Sequence, residues 1–332
     1  MAGTPGEFEL IERILGRFHN GADSLVVPPG DDCAGIRTDA SSLLLITTDL
    51  LVENVHFTLA TITPQELGWK SMAVNISDIA AMGGRPEYGF LSIAIPGYFT
   101  TGMIDDFSLG MAECCQASHM TLAGGDTTAS PSGLFVNICV IGRVNPQQCL
   151  TRGGALAGDC IQVSGHLGSS AAGLEELLSG KGREAINREL IRAHLCPQPR
   201  VETGLALSRI PGVHSMIDIS DGLVQDLGHI CRKSGVGAVV NADSIPIHPE
   251  VVRITGDDRD RYLNMALSGG EDYELCWTVS EENELLALRI ASEAGAPAPA
   301  TIGRIIPGSG VRVMDRGQVR HLTRTGFDHF KR

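Results

Sequence analysis

The stretch LLLITTDLL, Leu43 to Leu51, sets a run of apolar residues directly against a carboxylate, Asp49. Leu43–Thr48 reads as a buried strand ending at Asp49, since a short continuous apolar run is the pattern of a strand covered on both faces. A carboxylate at the end of such an element is costly unless a cation meets it. The same juxtaposition recurs along the chain: Asp31 and Asp32 in PPGDDCA, Asp78 in VNISDIAAMGG, Asp126 in LAGGDTT, and Asp218 with Asp221 in MIDISDGL. No matching set of lysines or arginines accompanies these acids, so the expected counter-ion is a divalent metal. Oxygen-only ligands, with Thr47 and Thr48 adding neutral oxygens beside Asp49, suit Mg2+ lying between carboxylates and substrate phosphates.

Around this strand the pattern alternates without strict strand–helix–strand order. Residues 7–18 carry a helical apolar face. Pro64 to Met82 reads as a helix, with Thr63 before a Pro at its first position and Gly83-Gly84 as its stop. Tyr88–Ile95 is a strand, Thr101–Ser118 a helix, Met120–Ala123 a short strand running into Gly124-Gly125-Asp126, and Leu134–Gly142 a closing strand. The polar, turn-rich segment 145–158 marks a boundary, giving domains 1–146 and 147–332. The second half reads as a strand at Asp159–Ser164, helices from about Ala171 and near Arg200–Arg209, and a strand at Val213–Ile219. A helix follows from Asp221 to Lys233, with Ser220 as its cap. A strand at Tyr273–Val279, a helix at Glu281–Ala294 and short strands complete the chain. Such runs in both halves favour an α+β fold over a doubly wound sheet.

The 332 residues suffice for two domains of ordinary size. Forty glycines against 5% aromatics suit tight turns and close approach of backbone to a ligand. A net charge of −13 argues against nucleic-acid or anionic-membrane partners. It leaves a nucleotide substrate open, because bound metal reverses the local field. Nine cysteines without a C-x-x-C pair fit reduced thiols, and the polar N-terminal stretch fits neither a signal nor a transit peptide. The expectation is a cytoplasmic protein without a membrane span.

Familiar phosphate sites are missing. Gly180-Lys181 resembles the end of a P-loop, but Glu175 stands where its first glycine belongs and Gly182 replaces Ser or Thr. Protein-kinase and zinc-protease signatures are also absent. Each acid taken singly has a plain reading: Asp31-Asp32 a solvated turn, Asp78 a loop cap, Asp221 a first-turn acid favoured by the helix dipole. All of them together point to a metal-dependent phosphate chemistry. His56 in LVENVHF and Arg143 ending ICVIGR are further candidates, with a satisfied histidine and a salt bridge as their plain alternatives.

In order and content, these motifs resemble the thiamine-monophosphate kinase family, within the superfamily of aminoimidazole ribonucleotide synthetase and selenophosphate synthetase. The matching stretches are GEFELI, GDDCA, TTDLLVENVHF, KSMAVNISDIAAMGG, LAGGDTT, SAAGLE, IDISDGLVQDLGHI, ALSGGEDYEL and GFDHF, which span nearly the whole chain. The resemblance implies transfer of the ATP γ-phosphoryl group to thiamine monophosphate, the final step of thiamine diphosphate biosynthesis, on a fold like that of aminoimidazole ribonucleotide synthetase. It implies several Mg2+ ions on Asp32, Thr47, Thr48, Asp49, Asp78, Asp126, Asp218 and Asp221, with Asp31 a supporting or alternate ligand. It gives nucleotide contacts to Gly125, Asp126, Arg143 and Ser220, and acceptor contacts to His56, Glu271 and Phe327, with no general base. An N-terminal metal- and ATP-binding domain would pair across a homodimer, and a C-terminal domain would complete the cleft. Rival readings are another ATP-using member of the superfamily, a two-metal phosphohydrolase, or a non-catalytic Mg2+–nucleotide sensor. Residues 1–30 hold neither the Cys nor the Lys that selenophosphate synthetase should carry, and the chain does not end in the cysteine of the hydrogenase-maturation relative.

Overall fold

In the computed structural model, residues 6–18, 22–180, 188–322, 324 and 326–327 are described. The last residues of the GFDHF stretch and Lys181–Gly182 lie outside them.

The first half builds a six-stranded sheet. After α1 (Glu7–Leu15) come β1 (Leu25–Val27), β2 (Ala34–Asp39), β3 (Ser42–Val52), α2 (Pro64–Ala81), β4 (Arg85–Pro96), α3 (Thr101–Ala117), β5 (Thr121–Ser130) and β6 (Phe135–Val144). The strand order is β1-β2-β3-β6-β4-β5. All neighbours are antiparallel except β4 and β5, which run parallel because α3 carries the chain back between them.

Helix α2 organises the molecule. A reciprocal capping box between Thr63 and Glu66 starts it, with Pro64 at its first position. It is buried on most of its surface, with Leu67, Met72, Ile76 and Ile79 in the core. It lies close against α3 because both contribute a glycine at the crossing. A Cβ on Gly68 would stand 2.0 Å from the Phe107 carbonyl oxygen, and one on Gly110 would stand 1.8 Å from that of Gln65. On its other sides α2 packs on β3, β4 and β6 and on three elements of the second half.

That second half is a seven-stranded sheet in the order β13-β12-β9-β11-β7-β10-β8. Its strands are β7 (Cys160–Val163), β8 (Val213–Asp218), β9 (Gly237–Asn241), β10 (Leu275–Val279), β11 (Ala300–Ile306), β12 (Gly310–Asp315) and β13 (Gln318–Arg320). Around them lie α4 (Ser169–Leu178), α5 (Arg188–Leu195), α6 (Val201–Leu207), α7 (Leu223–Ser234), α8 (Pro249–Ile254), α9 (Arg259–Ser268) and α10 (Glu284–Glu293). Fully buried Trp277 on β10 donates its indole N–H to Gln162 Oε1 on the neighbouring strand β7 at 2.8 Å. Helices α5 and α6 and strand β8 are the elements that meet α2. The architecture is the expected α+β pair of units, and the change of sheet falls between Val144 and Cys160.

Several boundaries differ from the sequence reading. Strand β3 continues to Val52, so Asp49 sits in mid-strand opposite Ile138 rather than at an end. Strand β5 runs from Thr121 to Ser130 and contains Gly124, Gly125 and Asp126, which were expected to follow a shorter strand. In both cases the neighbouring strand supplies backbone partners to a polar stretch, a non-local effect that local pattern does not carry. Gly125 is needed at its place, since a Cβ there would stand 1.8 Å from the Leu91 carbonyl oxygen. Ser220 does not cap α7. That helix begins at Leu223 after Gly222, and the Asp226 carboxylate accepts the amides of Asp221 and Gly222 at 3.1 and 3.0 Å. Tyr273 precedes β10 in a left-handed conformation (φ 50°), and residues 281–283 form a separate 3-10 turn ahead of α10.

Candidate active site

A cavity of about 900 Å3 opens between the two halves, with α2 along one wall. Lys70, Val74 and Asp78 all line it. They stand four residues apart on α2 and so share one face. At 1.5 Å per residue, Lys70 and Asp78 are about 12 Å apart along the helix. The cavity therefore has two ends of different chemistry.

The Asp78 end is acidic. Asp32 from the turn before β2, Asp78, and Asp218 from the end of β8 each offer a carboxylate oxygen within 4.8 Å of the others. Asp49 and Asp221 line the cavity beside them. Neutral groups fix the cluster. Ser77 Oγ donates to Asp218 Oδ2 at 2.6 Å, Thr47 Oγ1 donates to Asp78 Oδ2, and Asn75 Oδ1 accepts the Asp49 amide at 2.9 Å. Burial, reinforced by the neighbouring carboxylates, raises these acids. Asp49 and Asp218 are pushed up to about 6 and Asp32 to about 7, while Asp78 lies well above its ordinary value.

One cation meets this cluster that the sequence reading did not anticipate. Arg152 places its guanidinium on Asp32 Oδ1 at 2.6 and 3.1 Å, and its backbone amide on Asp31 Oδ1 at 2.7 Å. A single guanidinium does not balance so many carboxylates. The second oxygen of Asp32, Oδ2, is buried and has no hydrogen-bond partner among the described residues, an expensive state for an anion. An all-oxygen donor set with an unsatisfied buried carboxylate oxygen fits a hard divalent cation.

The Lys70 end is built differently. Lys70 is 1% exposed, and its Nζ lies 2.8 Å from Glu271 Oε1. His194 Nδ1 is 3.4 Å from Glu271 Oε2 and 3.0 Å from Ser170 Oγ. Burial would raise Glu271, but Lys70 and then His194 outweigh it and hold the carboxyl below its ordinary value. Burial, then Lys70, pushes His194 down to about 4, so it is neutral. Leu174, Leu178, Leu195 and Ile62 add an apolar lining.

Of the residues singled out from sequence, Asp32, Thr47, Thr48, Asp49, Asp78, Ser220, Asp221, His56, Glu271 and Phe327 line this cavity, and Asp218 joins through its oxygen contacts. The His56 ring is oriented by the Val52 amide, which donates to Nδ1 at 2.9 Å. Gly125, Asp126 and Arg143 stand elsewhere. Gly125 falls in the register row of Asp49, Ile138 and Leu91 but three strands away on edge strand β5, about 14 Å at the usual strand spacing. Asp126 is exposed beside it. Arg143 lies on β6, donating to Glu87 at 3.2 Å and Ser42 Oγ at 2.7 Å. The sequence reading missed Lys70, Arg152 and His194. Lys70 did carry a signal, as the one lysine in a helix of otherwise small and apolar character (GWKSMAVNISD).

Residues 30–144 match the family described as AIR synthase related protein, N-terminal domain, and residues 157–316 match its C-terminal domain. Over 334 residues the chain is 39% identical to the thiamine-monophosphate kinase of Haemophilus influenzae, covering 98% of both chains. The enzyme of the same name from Buchnera aphidicola subsp. Schizaphis graminum is 38% identical over 330 residues, again with 98% of each chain covered. A solved structure described as AaThiL complexed with AMPPCP and TMP superposes with a TM-score of 0.82 at 30% identity, covering 98% of this chain and 97% of that one. With both domains matched and relatives of this identity aligned end to end, the chain belongs to the thiamine-monophosphate kinase family.

Proposed function

We propose that this enzyme transfers the γ-phosphoryl group of ATP directly to the phosphate of thiamine monophosphate, giving thiamine diphosphate and ADP. The observation that carries this reading is the two-ended cavity, with an under-neutralised carboxylate cluster about 12 Å along α2 from an apolar end holding Lys70 and Glu271. The first end suits phosphates accompanied by metal, and the second suits the organic part of an acceptor. The relative solved with AMPPCP, an ATP analogue, and TMP supports the same pairing of ligands.

Donor and acceptor are both phosphates, so the barrier is mainly mutual repulsion and alignment for in-line attack. Asp32, Asp78 and Asp218, with Asp49 and Asp221 beside them, would hold Mg2+, which when bound would offset the negative charge of the two phosphates. Arg152 adds a guanidinium at the same end, matched to phosphate oxygens by its fixed fork of donors. It supplies the arginine contact to nucleotide that Arg143 was expected to make. Ser220, in the turn ahead of α7, offers a hydroxyl to the nucleotide. His56, Glu271 and Phe327 orient the acceptor. The acceptor's attacking oxygen is largely ionised at neutral pH, because a phosphate monoester loses its second proton near pH 6. No side chain need remove a proton from it.

A second copy of the chain completes the proposal. Strand β5 is a ten-residue edge strand, exposed at nine positions, with Gly125 and Asp126 at its centre. Tyr88, Phe90 and Leu122 add exposed apolar surface on β4 and β5. An open strand of this length is a liability unless covered, and homodimer formation would cover it.

The test is incubation of the purified protein with MgCl2, ATP and thiamine monophosphate. Equal amounts of thiamine diphosphate and ADP are expected. Release of inorganic phosphate from ATP regardless of acceptor would favour a phosphohydrolase, and ATP binding without turnover would leave a sensor.

A further inference from the structure

Lys70 comes from the N-terminal half and Glu271 from the C-terminal half, and their 2.8 Å ion pair crosses the cavity between them. The lysine is buried almost completely, and Glu271 is the carboxylate it meets among the described residues. A buried ammonium requires such a partner.

The backbone around Glu271 is held from several directions. Gly270, Glu271 and Tyr273 all have positive φ, at 68°, 57° and 50°, which is uncommon for the two non-glycine residues. The Glu271 amide donates to the Ser220 carbonyl at 2.6 Å and the Tyr273 amide to that of Ile219 at 2.9 Å. The Asp272 carboxylate accepts the amides of Gly168 and Ser170 at 2.8 and 3.0 Å. This fixes where the Glu271 side chain begins. Lys70 fixes where it ends, with His194 on the other carboxylate oxygen.

We propose that Lys70 is a positioning residue for the acceptor, fixing Glu271 as a hydrogen-bond acceptor for an N–H donor on the aminopyrimidine end of thiamine monophosphate. The assignment rests on the kinase reading above and names a residue and a contact beyond it. Lys70 and Glu271 together carry no net charge, so Glu271 acts there through its lone pairs more than through Coulomb attraction. A protonated or amide side chain would lose that purely accepting character. The position along α2 sets the kinetic consequence. Lys70 stands about 12 Å from the acidic end, too far to act on the transferred group. Its contribution is therefore made equally before and during the transfer, which appears in KM and not in kcat.

The experiment compares wild type, Lys70→Met, Glu271→Gln and the Lys70→Met/Glu271→Gln double variant in steady-state kinetics with Mg2+-ATP and thiamine monophosphate. Lys70→Met should raise the acceptor KM about tenfold, the size of one good hydrogen bond. The ATP KM should stay unchanged, and kcat should fall by no more than about threefold. The double variant should be no worse than Glu271→Gln alone, because Lys70 acts through that residue. An unchanged acceptor KM, an equal rise in both KM values, or additive losses overturn the assignment. Should Lys70→Met fail to fold, Lys70→Met/Glu271→Met leaves no buried unpaired charge. A rise confined to the acceptor KM in that variant supports the proposal, and a normal acceptor KM overturns it. Wild-type protein that makes no thiamine diphosphate removes the kinase reading and this assignment with it. An active wild type with an indifferent Lys70→Met removes this assignment alone.

Discussion

Ser77, on α2 in the first half, donates its hydroxyl to Asp218 at the end of β8 in the second half, at 2.6 Å with both residues buried. This bond ties the two halves at the acidic end of the cavity. It also stabilises the charged form of an acid that burial otherwise disfavours. Ser77→Ala should lower stability by about 1–3 kcal/mol, the cost of leaving a buried acceptor short of a donor. It should also weaken Mg2+ affinity. Denaturant unfolding and metal titration check both, and a variant equal to wild type in each would show that the bond carries neither load.

Asp218→Asn removes a carboxylate that its neighbours repel. Turnover should be abolished, while the metal-free variant should melt at or above the wild-type temperature. Near-native activity would take Asp218 out of the metal set, and collapse of the fold would show that its charge is needed for structure.

The raised acids give metal-free stability a definite pH dependence. Asp49 and Asp218 stand at about 6 and Asp32 at about 7, against an ordinary 3.8. An acid raised by folding contributes stability that is complete below its unfolded value and is lost as pH rises through the folded one. Between pH 4 and 7 the metal-free protein should therefore lose stability from this cluster. Bound Mg2+ should restore it, so the melting-temperature gain on adding MgCl2 should be several degrees larger at pH 8 than at pH 5. Equal gains at both values would contradict the assignment of these acids.

Arg152→Ala should raise the ATP KM at least about tenfold, the loss of a charge-assisted contact worth roughly 1.5–3 kcal/mol. Arg143→Ala removes contacts to Glu87 and Ser42 outside the cavity and should leave the ATP KM close to wild type. The reverse ranking would return Arg143 to the nucleotide site.

Leu122→Glu introduces a buried charge if a second copy covers β5. Light scattering should report a dimer for wild type and a monomer for the variant. A monomeric wild type would remove the pairing.

How much of this was legible in the chain depended on distance along it. Asp49 and Asp218 were readable because an apolar run and an acid adjoin in sequence, and that contradiction is local. Asp78 was readable from the apolar helix that surrounds it. Arg152 was not, because TRGG looks like any solvated turn, and its partner Asp32 lies 120 residues away. The cap expected of Ser220 failed for a related reason, since Asp226, one turn further on, takes the amides instead. The run through Gly124, Gly125 and Asp126 read as loop because only β4 shows that it is strand.

The spacing of Lys70, Val74 and Asp78 on one rigid helix has a consequence for redesign. The separation between the two ends of the cavity is quantised. Inserting one residue between Val74 and Asp78 would advance Asp78 by 1.5 Å but swing it about 100° around the helix, out of the cavity. Inserting four would return it to nearly the same face about 6 Å further on. A longer acceptor could thus be accommodated only in steps of roughly one helical turn, and small adjustments of length must come from the loops that face α2.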